Sequence, residues 1–307
     1  MNRQFSAAQN GAFGRRARAE LALAGITLLW GTTFVVIKAA FAHISGLVFV
    51  TLRFWVAALA LIALWRGATA NSRLRFAPGL IAGAVLFVAY VFQTTGLERT
   101  TPSKSAFLTG LSIPLVPFVS SVVYRNLPRR VEVAGVLIAT LGMALMTLPP
   151  GSGWQWRMST GDVLSFLCAV AFAVHIVVVG HYSQLEGFQS LAVVQIATVA
   201  ALGTVFVWFA EPVRFQMTTG VAIAVLGTGL LATALAFTTQ AWAQQYTSAT
   251  RAALIFTLEA PVAWLTSYLA TGEGMANRGK VGAGMILVGI LTVELNKVTI
   301  PSVRTSE

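Results

Sequence analysis

The side chains in this sequence that could handle a small polar molecule sit inside apolar runs. Glu259 lies in ALIFTLEAPVAWL, and a carboxylate at that depth can carry a proton, balance an amine or accept from a hydroxyl. His175 lies in FLCAVAFAVHIVVVG, where an imidazole is either a functional group or a partner for a neighbouring hydroxyl. Tyr90 and Gln93 fall one turn apart on one side of a helix, and a shift of 147 positions places them on Phe237 and Gln240. An aromatic beside an amide, stated twice, suits a cavity for an amphipathic molecule. The same glutamines could instead tie helices together, at roughly 1 kcal/mol each. Trp242 and Gln245 extend this surface, and Thr33 adds a hydroxyl beside Gly31 in LLWGTTF. Gly31 itself reads as a packing notch or a substrate contact. Arg53, in FVTLRFW, reads as a gate partner or a structural anchor.

This set binds; it does not break bonds. Asp162 is the chain's one aspartate, which excludes a two-aspartate protease, and no HExxH is present. GMANRGK at 274–280 imitates a phosphate-binding loop, yet Val281 stands where magnesium needs a hydroxyl. The lone Cys168 provides neither a disulfide nor a CxxC metal site. No catalytic residue, metal or cofactor is expected.

The elements that must position these residues follow from composition. The chain is 56% hydrophobic and 10% charged, with a mean hydropathy of +0.76, whereas soluble domains carry about 25% charge. Apolar runs near the roughly 20 residues that cross a bilayer occur at 20–40, 46–66, 76–95, 103–124, 131–149, 161–181, 188–209, 218–243, 250–270 and 279–296. The fold expected is all-α: a polytopic membrane protein of ten transmembrane helices. The charge of +11 collects beside these runs and does not interleave with aromatics, so nucleic acid is not expected. Arg3, Arg15, Arg16 and Arg18, then Arg66, Arg73 and Arg75, then Arg125, Arg129 and Arg130 place their segments, and both termini, in the cytoplasm.

Residues 93–148 return as 240–295. The ungapped shift matches Thr100 with Thr247, Leu111 with Leu258, Pro114 with Pro261, Gly135 with Gly282 and Gly142 with Gly289. Pro114, Pro117 and Pro261 remove backbone donors inside helices and are expected as hinges. The glycine pairs, seven residues apart, read as a packing seam, and Thr101-Pro102 and Ser248 as caps for the fourth and ninth spans. The linker PPGSGWQWRMST, with Trp154 and Trp156 suited to the outer interface, divides five spans from five. An odd number of crossings inverts the second set, giving two inverted five-helix repeats. The chain then divides into a cytoplasmic tail at 1–19, repeats at 20–149 and 161–296, an outer linker at 150–160 and a second tail at 297–307.

LLWGTTFVVIKAAF with a following LRF, TSATRAALIFTLEAPVAWL running into Gly272-Glu273, and GKVGAGMILVGI together resemble the drug/metabolite transporter superfamily, in its ten-helix EamA-type branch, over about residues 20–296. The resemblance implies a bacterial inner-membrane, multi-pass carrier with both ends cytoplasmic and a central cavity between its halves. Members that export aromatic amino acids are the most similar. Asn126 stands where the family often has an acid matching Glu273. The function expected is export of small amphipathic metabolites, aromatic or other neutral amino acids, by alternating access, along a pathway of Thr33, Tyr90, Gln93, His175, Phe237, Gln240, Trp242, Gln245 and Glu259. The alternative is a multidrug or polyamine exporter coupled to protons. The partners expected are the small-molecule substrate and the lipid bilayer, with the carrier a monomer; proton coupling is left open, uniport being preferred.

Overall fold

In hydrocarbon every backbone donor and acceptor needs a partner within the protein, and a long apolar run finds one only by coiling on itself. The computed structural model describes residues 2–65, 76–97, 99–100, 102–125, 127–147, 158–185, 187–210, 213–271 and 276–295. They form α1 (Asn2–Ala40), α2 (Gly46–Trp65), α3 (Phe76–Leu97), α4 (Pro102–Gly110), α5 (Ser112–Tyr124), α6 (Arg130–Thr147), α7 (Thr160–Leu185), α8 (Phe188–Ala210) and α9 (Thr219–Gly227). A π-helical segment (Thr228–Leu235), α10 (Ala236–Ala243), α11 (Ala249–Phe256), α12 (Glu259–Thr271) and α13 (Asn277–Glu294) complete the order. Among the described residues there is no strand, only an isolated bridge between Ile44 and Phe215. Arg66, Arg73, Arg75, Thr101, Asn126, Trp154, Trp156, Gly272 and Glu273 lie outside the described residues.

Seven helices among the described residues are long and apolar enough to cross a membrane. Leu59, Leu64, Val122 and Leu269 are exposed on their outer sides, where lipid takes the place of water. The protein is an all-α polytopic membrane protein. Predicted spans 46–66, 76–95 and 188–209 fall on α2, α3 and α8 within two residues at either end.

Two features differ from the expectation. α1 starts at Asn2, so helix continues through the segment expected as a tail; its Ala- and Arg-rich sequence favours helix, and Arg16 Nε donates to Glu20 Oε1 at 2.7 Å one turn on. The apolar runs 103–124 and 250–270 are each broken, at Leu111 and at Thr257-Leu258. Pro114 and Pro261 are the third residues of α5 and α12. Lacking an N–H, each leaves the carbonyl four residues earlier, Gly110 or Thr257, without its helical donor, and each break falls there. Pro117 sits inside the continuous α5.

The glycine pairs do form a seam, between α6 and α13. A methyl built on Gly142 would lie 2.5 Å from the Gly282 carbonyl oxygen, and one on Gly289 would lie 2.6 Å from the Gly135 carbonyl oxygen. The backbones therefore touch, as small residues permit in membranes. Ser248 caps α11, its Oγ accepting from the Arg251 N–H at 3.3 Å. At the start of α7, Asp162 accepts from the Ser159 N–H at 3.0 Å, while the Ser159 hydroxyl accepts from the Asp162 N–H at 3.1 Å, a capping box.

Candidate functional site

Six helices each bring one ring to a shared centre: Trp30 from α1, Phe54 from α2, Tyr90 from α3, Phe172 from α7, Phe237 from α10 and Phe256 from α11. Trp30 lies 5.3 Å from Phe256 and 5.7 Å from Phe237, and Phe237 lies 6.0 Å from Phe54, centroid to centroid. Phe54 is 5.3 Å from Tyr90, and Tyr90 is 5.8 Å from Phe172. All five contacts are tilted or edge-on, the arrangement that sets a ring's positive rim against its neighbour's negative face. Trp30, Tyr90, Phe172 and Phe256 remain half-buried while Phe54 and Phe237 are buried.

Two residues of opposite charge lie on helices that carry these rings or directly follow them. Arg53, one residue before Phe54, is buried; its Nε donates to Thr233 Oγ1 at 2.9 Å and its Nη2 reaches the Ala232 carbonyl oxygen at 3.5 Å. Its guanidinium carbon stands 5.6 Å from the Phe54 centroid and 5.7 Å from that of Tyr90, within the range of a cation–π attraction. Both acceptors lie in the π-helical segment. Thr233 Oγ1 in turn donates to the Thr228 carbonyl oxygen at 3.0 Å, five residues back. The Ala232 carbonyl also accepts from Trp30 Nε1 at 2.8 Å. A methyl on Gly229 would meet the Arg53 carbonyl oxygen at 2.9 Å, so only glycine lets α2 approach this closely. π segments concentrate at functional sites because the wider turn frees carbonyls for other donors, and here those donors are Arg53 and Trp30.

Glu259 is the opposite charge. It opens α12, directly after the second break, and is exposed. It follows Phe256 of the ring cluster by three residues, and α12 packs on α1 where Gly31 meets Val262 and Ala263. Among the described residues it has no hydrogen-bond or ion-pair partner, and no ion pair joins it to Arg53.

The residues expected along a pathway divide between this centre and other places. Tyr90 and Phe237 meet there, and Glu259 opens α12 three residues after Phe256. His175 is beside the ring cluster, its ring 5.9 Å from Phe237 and its Nε2 2.9 Å from Gln195 Oε1. Gln240 is buried deeper, its amide donating to Gln244 Oε1 at 3.1 Å while its own Oε1 has no partner. Gln93 is half-buried one turn from Tyr90 and makes no hydrogen bond to a described residue. Thr33 donates to the Trp30 carbonyl oxygen of its own helix at 2.9 Å. Gln245 donates to the Ser183 carbonyl oxygen at 2.7 Å, tying α7 to the turn after α10. Trp242 packs on Tyr246, 5.6 Å away, beside Ala19 and Leu23 of α1. Gly31 packs where a methyl would meet Val262 Cγ1 at 2.7 Å and the Ala263 nitrogen at 3.0 Å, a notch for α12.

Trp30, Phe54, Phe172, Phe256 and the π segment were not singled out by sequence. Arg53 was the available signal, a lone cation in an apolar run with a ring next to it.

Among the described residues no group of three His, Cys, Asp or Glu could hold a metal ion. Rings from six helices thus gather beside buried Arg53. The sequence profile of the EamA-like transporter family matches residues 17–148 and again residues 159–295. The chain belongs to that family. It is 34% identical over 292 residues to an uncharacterized transporter of Archaeoglobus fulgidus, covering 95% of this chain and 91% of that one. Its fold is similar to that of a protein known from a crystal structure, with a TM-score of 0.76 at 19% identity, covering 91% of this chain and 97% of the other. As an EamA-family member the protein moves small molecules across a lipid bilayer.

Proposed function

We propose that this EamA-family carrier exports small amphipathic metabolites, aromatic or other neutral amino acids, from the cytoplasm across a bacterial inner membrane. The observation that carries this reading is the cluster of six rings from six helices beside buried Arg53, with Glu259 three residues beyond its Phe256. Rings give a large apolar side chain its contact area, and fixed polar groups give it orientation.

Transport runs by alternating access between two inverted five-helix repeats, residues 20–149 and 161–296. Three observations support that plan. The family profile matches twice. Both broken helices break one turn before a matched proline. The matched threonines make reciprocal contacts, Thr100 donating to Asp162 of α7 and Thr247 donating to Glu20 of α1 at 3.0 Å. Such an exchange is what a two-fold axis in the membrane plane would produce. Pro114 and Pro261, with Pro117 inside α5, serve as the hinges.

Purified protein in vesicles, offered labelled phenylalanine, tryptophan, methionine and polyamines, tests the substrate. Movement of the amino acids is expected, and with uniport an imposed pH gradient leaves its rate unchanged. Glu259, a carboxylate without a described partner, favours the second reading, a proton-coupled multidrug or polyamine exporter. Movement of organic cations alone, driven by a pH gradient, would replace the first reading with that one.

A further inference from the structure

An uncompensated ion in a low-dielectric interior is costly, yet neither Arg53 nor Glu259 has an ion-pair partner among the described residues. Arg53 is held back by Thr233 Oγ1, the Ala232 carbonyl and the faces of Phe54 and Tyr90. Those bonds use Nε and Nη2. Nη1 has no partner among the described residues and is not fully enclosed, since it is absent from the buried atoms that lack one. Glu259 is held by the backbone: the break at Thr257-Leu258 starts α12 at Glu259, and α12 is clamped one turn later where Val262 and Ala263 meet Gly31. Trp30 spans the interval, its indole N–H on the Ala232 carbonyl that Arg53 also contacts and its ring against Phe256, three residues before Glu259. Tyr90 stands in electrostatic range of both charges.

We propose that Arg53 and Glu259 are the two ends of a zwitterion clamp, Arg53 taking the substrate's carboxylate and Glu259 its ammonium, with the side chain lying against Tyr90, Phe54 and Phe237. This deepens the amino-acid reading and rests on it. Gln245 and Thr33 are engaged with backbone carbonyls, so the charged ends of the substrate are assigned to Arg53 and Glu259, which leaves Gln93 and the unpartnered Gln240 Oε1 for neutral polar groups. Each half contributes one end, Arg53 from α2 and Glu259 from α12. A molecule with one charge would leave the opposite protein charge uncompensated, which is the basis of the selectivity.

The test compares transport of L-phenylalanine, phenethylamine and 3-phenylpropanoate by the full-length protein in vesicles. The wild type is expected to prefer phenylalanine to either analogue by about tenfold or more, which is about 1.4 kcal/mol. Arg53→Gln is expected to lose the preference over phenethylamine and keep the preference over 3-phenylpropanoate; Glu259→Gln is expected to do the reverse. Equal losses for all three compounds, or unchanged preferences, would overturn the clamp. Because Arg53 also anchors the π segment, Thr233→Val provides the control: it removes the anchor, leaves the guanidinium, and is expected to retain both preferences. If Thr233→Val erases the preference over phenethylamine as Arg53→Gln does, Arg53 is a structural pin and the proposal fails. Where Arg53→Gln gives no folded carrier, Arg53→Lys decides, retained preference supporting the clamp and lost preference overturning it. A wild type that moves phenylalanine and both analogues alike sinks the clamp and spares the transport reading; a wild type that moves none of them removes both.

Discussion

The glycine seam between α6 and α13 and the two broken helices α4–α5 and α11–α12 are both built from positions that match under the same shift, yet they are used differently. At the seam the copies agree in residue and in role: Gly142 and Gly282 approach each other's backbone, as do Gly135 and Gly289. At the breaks they agree only in backbone. Pro114 and Pro261 take the same place in α5 and α12, but the helix restarts on buried Ser112 in one copy and on exposed Glu259 in the other. Where a position only has to pack, both copies can hold the same residue. On the proposed clamp, a position that has to tell one end of a molecule from the other cannot hold the same residue in both.

The largest effect that would break this contrast belongs to the seam. Gly142→Leu drives a side chain into the Gly282 carbonyl, 2.5 Å from where its Cβ must go, with the Ile286 nitrogen at 3.0 Å. Neither neighbour is a flexible side chain, so the cost is expected at about 3 kcal/mol or more. The yield of monodisperse protein in detergent should collapse, while Glu259→Gln purifies like the wild type. A folded, transporting Gly142→Leu carrier would mean the seam is not the rigid element.

Gly31→Ala comes next and asks how firmly the second break is held. The added methyl meets the branch point of Val262 at 2.8 Å and the Ala263 backbone at 3.0 Å, one turn beyond Glu259. A cost of about 1–3 kcal/mol is expected from such overpacking, read as a lower thermal unfolding midpoint. Phenylalanine transport should fall by more than the loss of folded protein explains, because α12 carries Glu259.

Much of this contrast was legible in the sequence. Spans, matched prolines and the glycine stripe follow from hydropathy, missing donors and small-residue spacing, all local properties. Glu259 could be marked because an ionisable side chain in an apolar run is expensive to keep, and Tyr90 and Phe237 because an aromatic beside an amide recurs under the 147-residue shift. Phe54, Phe172 and Phe256 could not, since among nineteen phenylalanines nothing local separates a chamber ring from a lipid-facing one such as Phe209, which is 82% exposed. The π segment was hidden for a related reason: its wide turn is stabilised by Trp30 and Arg53 from other helices, and periodicity does not report a partner about 200 or 180 positions away. Nor does the sequence announce that the Gln245 amide donates to the Ser183 carbonyl oxygen, on another helix.

The smallest effect should come from the counterpart at the first break. Gly110 ends α4, and a methyl there would run into Met143 Sδ, with Met143 Cε at 2.6 Å. The obstacle is the far end of a thioether chain, which can swing aside at little cost, and alanine repays part of it through its better helix propensity, by up to roughly 1 kcal/mol over glycine. Gly110→Ala is therefore expected to leave the unfolding midpoint and the phenylalanine rate near wild type. Had the two breaks been held alike, Gly31→Ala and Gly110→Ala would fall together. Separate outcomes would place rigidity at the break that bears the charge, because a carboxylate that must meet an ammonium within hydrogen-bond distance tolerates little displacement, while a break lined by a buried serine has no such partner to keep in register.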